Sequence, residues 1–195
     1  MKNYKLIFKR NIIMMALLIL AIVIALFLIK TLQENEKINS VNIGGSFSLI
    51  DQNNNIYESK VIKKRKLIYF GYTFCPDVCP FDILKLSKFL DVNPKHIKTT
   101  DFIFITVDPE RDKVIEVKSF LSNFNSSIIG LTGNINEVSK VIKKFRIFVK
   151  KNISSSNNQN YLIDHSSLFF LLDENDSYIT HFSPSDFNSK VQNYF

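Results

Sequence analysis

Residues 12–29 are eighteen consecutive uncharged residues, almost all Ile, Leu, Met, Val, Ala and Phe, and no other feature restricts the chain as strongly. A helix of that length, rising ~1.5 Å per residue, covers about 27 Å, close to the hydrocarbon thickness of a bilayer. The run therefore predicts a membrane span. Lys2, Lys5, Lys9 and Arg10 precede it with no acid among them, whereas Lys30, Glu34, Glu36 and Lys37 follow in rough balance. Positive flanking charge stays on the cytoplasmic side. The expected order is a basic cytoplasmic tail at 1–11, a transmembrane anchor at 12–30, a linker at 31–45 and one folded domain at 46–195. The alternative is a cleaved signal peptide, whose apolar core is about 7–15 residues long and ends in a small-x-small site. Lys30-Thr31-Leu32-Gln33 offers no such site.

The formal net charge of +7 raises the question of nucleic acid. Residues 1–31 hold five basic side chains and no acidic ones, so residues 32–195 keep twenty basic against eighteen acidic. The excess belongs to the anchor, and no nucleic-acid partner is expected. Lys63-Lys64-Arg65-Lys66 is dense but short, and reads as a solvated loop before a strand. The basic stretch before the span is not an Arg-rich presequence, which favours a bacterial inner membrane with the C-terminal domain in the periplasm.

Beyond Gly44-Gly45, strands are expected at 47–50 and 56–57, then at 67–72 and 102–107, where continuous apolar runs predict burial on both faces. Helical spacing links Phe81, Leu84, Phe89 and Leu90, with Pro94 beyond as a stop. Asp108-Pro109 is expected to open a helix through Val114, Val117, Phe120, Leu121 and Phe124, and another follows Asn134 with Val138, Val141 and Phe145 on one face. A short strand is placed at 128–131, a polar loop at 154–160, strands at 161–164, 168–172 and 178–182, and a terminal helix from Pro184. The alternation predicts an α/β fold with a mixed sheet flanked by helices. Such sheets carry their chemistry at the C-terminal ends of strands.

Both cysteines fall there, in FGYTFCPDVCP at 70–80. Cys75 and Cys79 stand about one helical turn apart where backbone N–H groups and a positive dipole favour thiolate. The domain is large enough to fold without a staple, and so short a loop gains little from a disulfide. A simple surface disulfide needs neither the flanking prolines nor the strand-end placement, which favour a redox couple or part of a soft metal site. Two sulfurs suit Cu(I), and an added imidazole gives a site that also accepts Cu(II). Three histidines are available. His96 reads as a loop residue and His181 as a strand residue facing solvent, whereas His165 lies between two strands in YLIDHS at 161–166.

FGYTFCPDVCP, TVDPERD at 106–112 and YLIDHS occur in the order and approximate spacing of three motifs of the Sco/SenC family, which the chain resembles from about Ser46 to Phe182. The resemblance implies a thioredoxin-like fold, copper ligation by Cys75, Cys79 and His165, and delivery of copper to the two-copper centre of cytochrome c oxidase subunit II. It also implies possible reduction of that centre's cysteines. Asp164 would either orient His165 or cap a strand-end turn, and Asp77 would either tune the thiols or cap their helix. Asp108, Glu110 and Arg111 would shape the rim or dock a partner, unless Asp108-Pro109 is only a helix start. Phe74 and Phe81-Asp82 depart from the pattern common in the family, which bears on the docking surface and redox potential rather than on the ligands.

The competing function is a membrane-anchored thiol-disulfide oxidoreductase, which needs the cysteines but not His165. Three residues, not the two of thioredoxin, separate the cysteines, and Ser166-Ser167-Leu168 supplies no facing proline. A thiol peroxidase would need more than Thr73 beside its nucleophile, and a structural zinc site would need a fourth ligand.

Overall fold

The computed structural model describes residues 2–39, 43–153 and 161–195. The chain divides into two compact units, Met1–Val41 and Asn42–Phe195. The first is one helix, α1 (Lys2–Asn39). Its segment Ile13–Lys30 is long and apolar enough to cross a membrane and buries nothing against protein. The helix runs on through residues 31–39, which the sequence reading assigned to the linker; strong helix formers such as Leu32, Gln33, Glu34 and Glu36 carry the backbone bonding forward. Residues 40–42 of that linker, and the polar loop expected at 154–160, lie outside the described residues.

The second unit is built on β1 (Ser48–Asp51), β2 (Ile56–Glu58), β3 (Arg65–Gly71), α2 (Val78–Val92), β4 (Thr100–Thr106), α3 (Val114–Leu121), β5 (Ile128–Thr132), α4 (Ile135–Lys144), β6 (Val149–Ile153), β7 (Tyr161–His165), β8 (Phe169–Leu172), β9 (Tyr178–Phe182) and α5 (Phe187–Lys190). Seven strands form one sheet in the order β2-β1-β5-β4-β3-β8-β9. β3, β4 and β5 are parallel neighbours, whereas β1 on β5 and β8 on β3 run antiparallel, so the sheet is mixed as expected. All seven residues of β4 are buried, and β3 is buried from Lys66 onward, because helices cover both faces.

Successive side chains of β3 point to opposite faces and fill two aromatic layers. Tyr69 packs on Phe169 with ring centres 4.9 Å apart, and Phe169 meets Phe187 of α5 at 4.5 Å. On the other face Phe70 meets Phe145, just past α4, at 5.1 Å, and Phe145 meets Phe170 at 5.6 Å. α2 joins the first layer through Cys79, Ile83, Leu86 and Leu90, all fully buried at helical spacing.

Other expectations about the second unit are corrected. Asp108-Pro109 does not open a helix: α3 starts at Val114 after a turn closed by Asp112 N–H donating to the Asp108 carbonyl (2.9 Å). The terminal helix begins at Phe187 rather than at Pro184 and holds one turn. A strand in the basic stretch Val149–Ile153 was not anticipated, because its apolar signal is weak; pairing with β7 creates it. That pair, β6–β7, is a separate two-stranded sheet, so the strand beginning at Tyr161 is not part of the main one.

Gly44-Gly45 is a structured entry to the unit. Gly44, at φ +89°, donates to the Lys144 carbonyl (3.0 Å), and a side chain there would stand 3.1 Å from Leu172. Nearby, Lys66, expected in a solvated loop, lies in β3 and is wholly buried, with Nζ 2.7 Å from Asp176 Oδ1 and donating to the Ser59 and Ile62 carbonyls (2.9 Å each). Ser59 also donates to Asp176 Oδ2 (2.8 Å), so one ion pair joins the segment after β2 to the β8–β9 turn. Removing one partner leaves a buried uncompensated charge. Asp176→Ala is expected to lower unfolding free energy by about 3–5 kcal/mol in urea titration; a loss under about 1 kcal/mol would show that the pair is dispensable.

Candidate metal centre

β3 ends at Gly71, where a side chain would not fit. A Cβ there would lie 2.9 Å from the Tyr69 ring, 3.0 Å from the Phe104 ring and 3.1 Å from Cys79 Sγ. Glycine lets the first turn of α2 settle its sulfur over the strand end. Between them the chain turns, with Cys75 N–H donating to the Tyr72 carbonyl (3.3 Å). Cys79 is fully buried, Cys75 is partly exposed, and the two are unbridged. Asp77 stands at the N-cap of α2, yet its side chain caps nothing. Its contribution is a backbone N–H to the Cys75 sulfur.

His165 arrives on the β6–β7 hairpin, opposite Val149. Its Nε2 is 3.2 Å from Cys79 Sγ, and its ring stands edge-on to Tyr72 and Tyr69 at 5.9 and 6.4 Å. Nδ1 lies 3.1 Å from the Ser166 carbonyl, which only accepts, so Nδ1 carries a proton, and Nε2 is the nitrogen turned toward the sulfurs. Asp164 points elsewhere and accepts from Asn152 across the hairpin (2.7 Å); it neither orients His165 nor caps the turn. His96 stacks on Phe89 at 6.0 Å, and burial lowers its pKa. His181 is exposed on β9 beside Tyr178. Of the three histidines, only His165 joins the cysteines.

TVDPERD holds the two halves of the site together. Asp112, fully buried, accepts from Thr73 N–H (2.9 Å), Thr73 hydroxyl (2.6 Å) and Thr106 hydroxyl (2.6 Å). Burial pushes its pKa up, and those donors oppose the shift. Asp108, also buried, accepts from Arg111 Nε (2.5 Å) and Tyr161 hydroxyl (2.6 Å). Arg111 in turn donates to the Tyr161 carbonyl (3.0 Å), covers the Tyr161 ring at 3.6 Å and reaches the Phe74 ring at 4.9 Å. Asp112 thus fixes the cysteine loop, and Asp108 with Arg111 fixes the hairpin that brings His165. Asp112, Tyr161 and Tyr72, whose hydroxyl accepts from Ile163 N–H (3.2 Å), were not singled out from sequence; their places in the three motifs were the signal available.

The ligand atoms of Cys75, Cys79 and His165 lie within 4.8 Å of one another. One ion bridges about that span with bonds of roughly 2.0–2.3 Å. The two thiols also divide the acid–base work. Cys79 hydrogen-bonds to Cys75, which holds the Cys75 thiol down at about 3, with further help from His165 and from backbone N–H groups and against burial. The same bond, with burial, raises Cys79. An incoming ion would displace the proton the two thiols share, and two sulfurs with one imidazole nitrogen form a soft donor set that fits copper.

The SCO1/SenC family profile matches residues 35–193. The chain belongs to the SCO1/SenC family. Among SCO1/SenC relatives, the SCO2-like protein of Rickettsia conorii is 40% identical over 168 residues, covering 81% of this chain and 82% of that one. The fold matches the copper-bound structure of ScoI from Bradyrhizobium japonicum with TM-score 0.70 and 37% identity, over 78% of this chain and 99% of that one. Copper-bound yeast Sco1 matches with TM-score 0.67 and 33% identity, over 79% and 91%. These likenesses show the thioredoxin-like fold.

Set in that SCO1/SenC frame, the two departures separate. Asp82 is buried and accepts from Tyr69 (3.0 Å) and Ser167 (2.6 Å) hydroxyls, so it positions the segment after His165 and is not part of a docking surface. Phe74 and Phe81 are 52% and 61% exposed and give the rim an apolar character. A thiol held at about 3 is thiolate throughout the neutral range and regains its proton only as pH falls toward that value. Iodoacetamide is expected to modify Cys75 at a rate nearly flat from about pH 5 to 8, with Cys79 spared, as read by peptide mass mapping. A rate climbing about tenfold per unit up to pH 8, as for an ordinary thiol, would contradict this electrostatic picture.

Proposed function

We propose that this chain is a membrane-anchored metallochaperone that holds copper through Cys75, Cys79 and His165. It delivers the ion to the two-copper centre of cytochrome c oxidase subunit II. The observation that carries the reading is the meeting of two sulfurs and an imidazole nitrogen from distant segments within 4.8 Å. A redox pair needs only the sulfurs. Nothing in thiol exchange requires a hairpin latched so that an imidazole nitrogen faces a buried cysteine, whereas an ion that changes between Cu(I) and Cu(II) is served by mixed sulfur and nitrogen donors. The copper-bound relatives support the choice of metal. The domain is assigned to the periplasmic side of a bacterial inner membrane, with α1 as a single-pass anchor and its basic end in the cytoplasm, from the flanking charges.

A second activity is favoured by the asymmetry of the thiols. Cys75 thiolate can attack a partner's disulfide sulfur, displacing one partner thiolate and forming a mixed disulfide. Cys79, once deprotonated, then attacks Cys75 Sγ, releases the partner's second thiolate and leaves Cys75–Cys79 oxidised. The partner gains two electrons and the chain loses two, so the same pair can reduce the cysteines of an acceptor before it is metallated.

Anaerobic titration of the reduced full chain in detergent tests the assignment. Wild type is expected to take up one copper per chain, and Cys75→Ser to lose affinity roughly 100-fold or more. His165→Ala is expected to weaken Cu(I) by about tenfold and abolish the sulfur-to-Cu(II) charge-transfer band. Copper uptake indifferent to His165 in both oxidation states, alongside persistent disulfide reduction, would leave the oxidoreductase reading in its place.

A further inference from the structure

Three residues beyond Cys79 on α2, the carboxylate of Asp82 is buried. A buried carboxylate is costly unless donors answer it, and here they come from three parts of the chain. Oδ2 accepts from the Tyr69 hydroxyl of β3 (3.0 Å) and from the hydroxyl of Ser167, between β7 and β8 (2.6 Å). Oδ1 lies 3.1 Å from Lys85 Nζ, one turn further along α2. None of these groups is one of the three ligands, yet both hydroxyls bear on His165. The Tyr69 ring stands edge-on to the imidazole, at 88° with centres 6.4 Å apart. Ser167 follows Ser166, whose carbonyl faces His165 Nδ1 at 3.1 Å.

That carbonyl is braced from both sides. Ser166 donates its N–H to the Phe148 carbonyl (3.1 Å) and accepts from Phe148 N–H at its hydroxyl (3.1 Å), which ties it to the root of the hairpin, while Asp82 ties Ser167 to α2. Cys79 lies on α2 as well, so Asp82 joins the helix that supplies a sulfur to the segment that aims the nitrogen 3.2 Å from it. We propose that Asp82 is a positioning residue for the imidazole, acting through Ser167 and Tyr69, and that its hold matters more to Cu(II) than to Cu(I). The inference rests on the copper reading above and names what governs the oxidised ion at that site. Two sulfurs suit Cu(I), whereas Cu(II) draws on nitrogen. A poorly aimed ring therefore costs Cu(II) first, and losing a group that orients a ligating imidazole typically lowers metal affinity about 10- to 100-fold.

The test uses the reduced full chain in detergent micelles with Asp82→Ala, Ser167→Ala and Ser167→Thr, the last of which keeps the hydroxyl. Without metal, long-range proton–nitrogen spectra are expected to show an exchange-protected His165 Nδ1 proton in wild type and Ser167→Thr, and to lose it in the two alanine variants. With copper, Ser167→Ala is expected to lower Cu(II) affinity about tenfold and weaken the nitrogen splitting in the electron paramagnetic resonance spectrum, while Cu(I) affinity stays within about twofold of wild type. Should Asp82→Ala not fold, Ser167→Ala decides. An unchanged Nδ1 signal in Ser167→Ala, equal losses for the two oxidation states, or a lowered urea midpoint with both affinities intact overturns the proposal, because a merely structural role predicts each of these. A wild-type chain that takes up neither ion sinks the copper reading, whereas the metal-free spectra test the positioning of the ring by themselves.

Discussion

The carboxylate of Asp112 is the constraint on which the centre depends. It is buried, accepts three hydrogen bonds and ties Thr73, at the root of the cysteine loop, to Thr106 at the end of the neighbouring strand. Its own carbonyl accepts from the Thr132 hydroxyl (2.6 Å), so the ends of β3, β4 and β5 are gathered around one residue. Three donors offset most of the cost of removing the group from water. The loop that presents the sulfurs is thereby part of the rigid sheet edge and not a free excursion from it.

Much of this was legible in advance, and for definite reasons. β3 and β4 announce themselves as unbroken apolar runs because both faces are covered, and α2 follows from helical spacing after Pro80. Cys75 and Cys79 were placed correctly because a strand end followed by a helix start is a local pattern. His165 came into view from its position between two strands and from a family resemblance, since no local rule says which of three histidines meets a sulfur 86 residues away. Missed features share a cause. β6 is Val-Lys-Lys-Asn-Ile, strand-forming only because β7 lies opposite, and Asp108 reads as a helix cap until Arg111 and Tyr161 are seen converging on it. In both cases a long-range partner overrides the local signal.

The electrostatics of the thiols arise from the same packing. Gly71 admits Cys79 so closely that its sulfur loses water, and a buried thiol prefers to keep its proton and donate it to a neighbour. Cys75, nearer the surface, is the neighbour and holds the charge. The hydrogen bond between the thiols and the burial that Gly71 permits act in the same direction, leaving the charge on the more exposed sulfur. The apolar rim of Phe74 and Phe81 then surrounds the exposed one.

The β6–β7 hairpin shares no ladder with the seven-stranded sheet; it is held by Arg111, Asp108, the Tyr72 hydroxyl and the burial of Tyr161 and Ile163 in the core. The centre therefore joins two separately braced parts: both sulfurs belong to the sheet edge and the imidazole to the hairpin. An ion held there would be tied to the sheet edge through two sulfurs and to the hairpin through one nitrogen, so its binding would couple two parts of the fold that share no strand pairing.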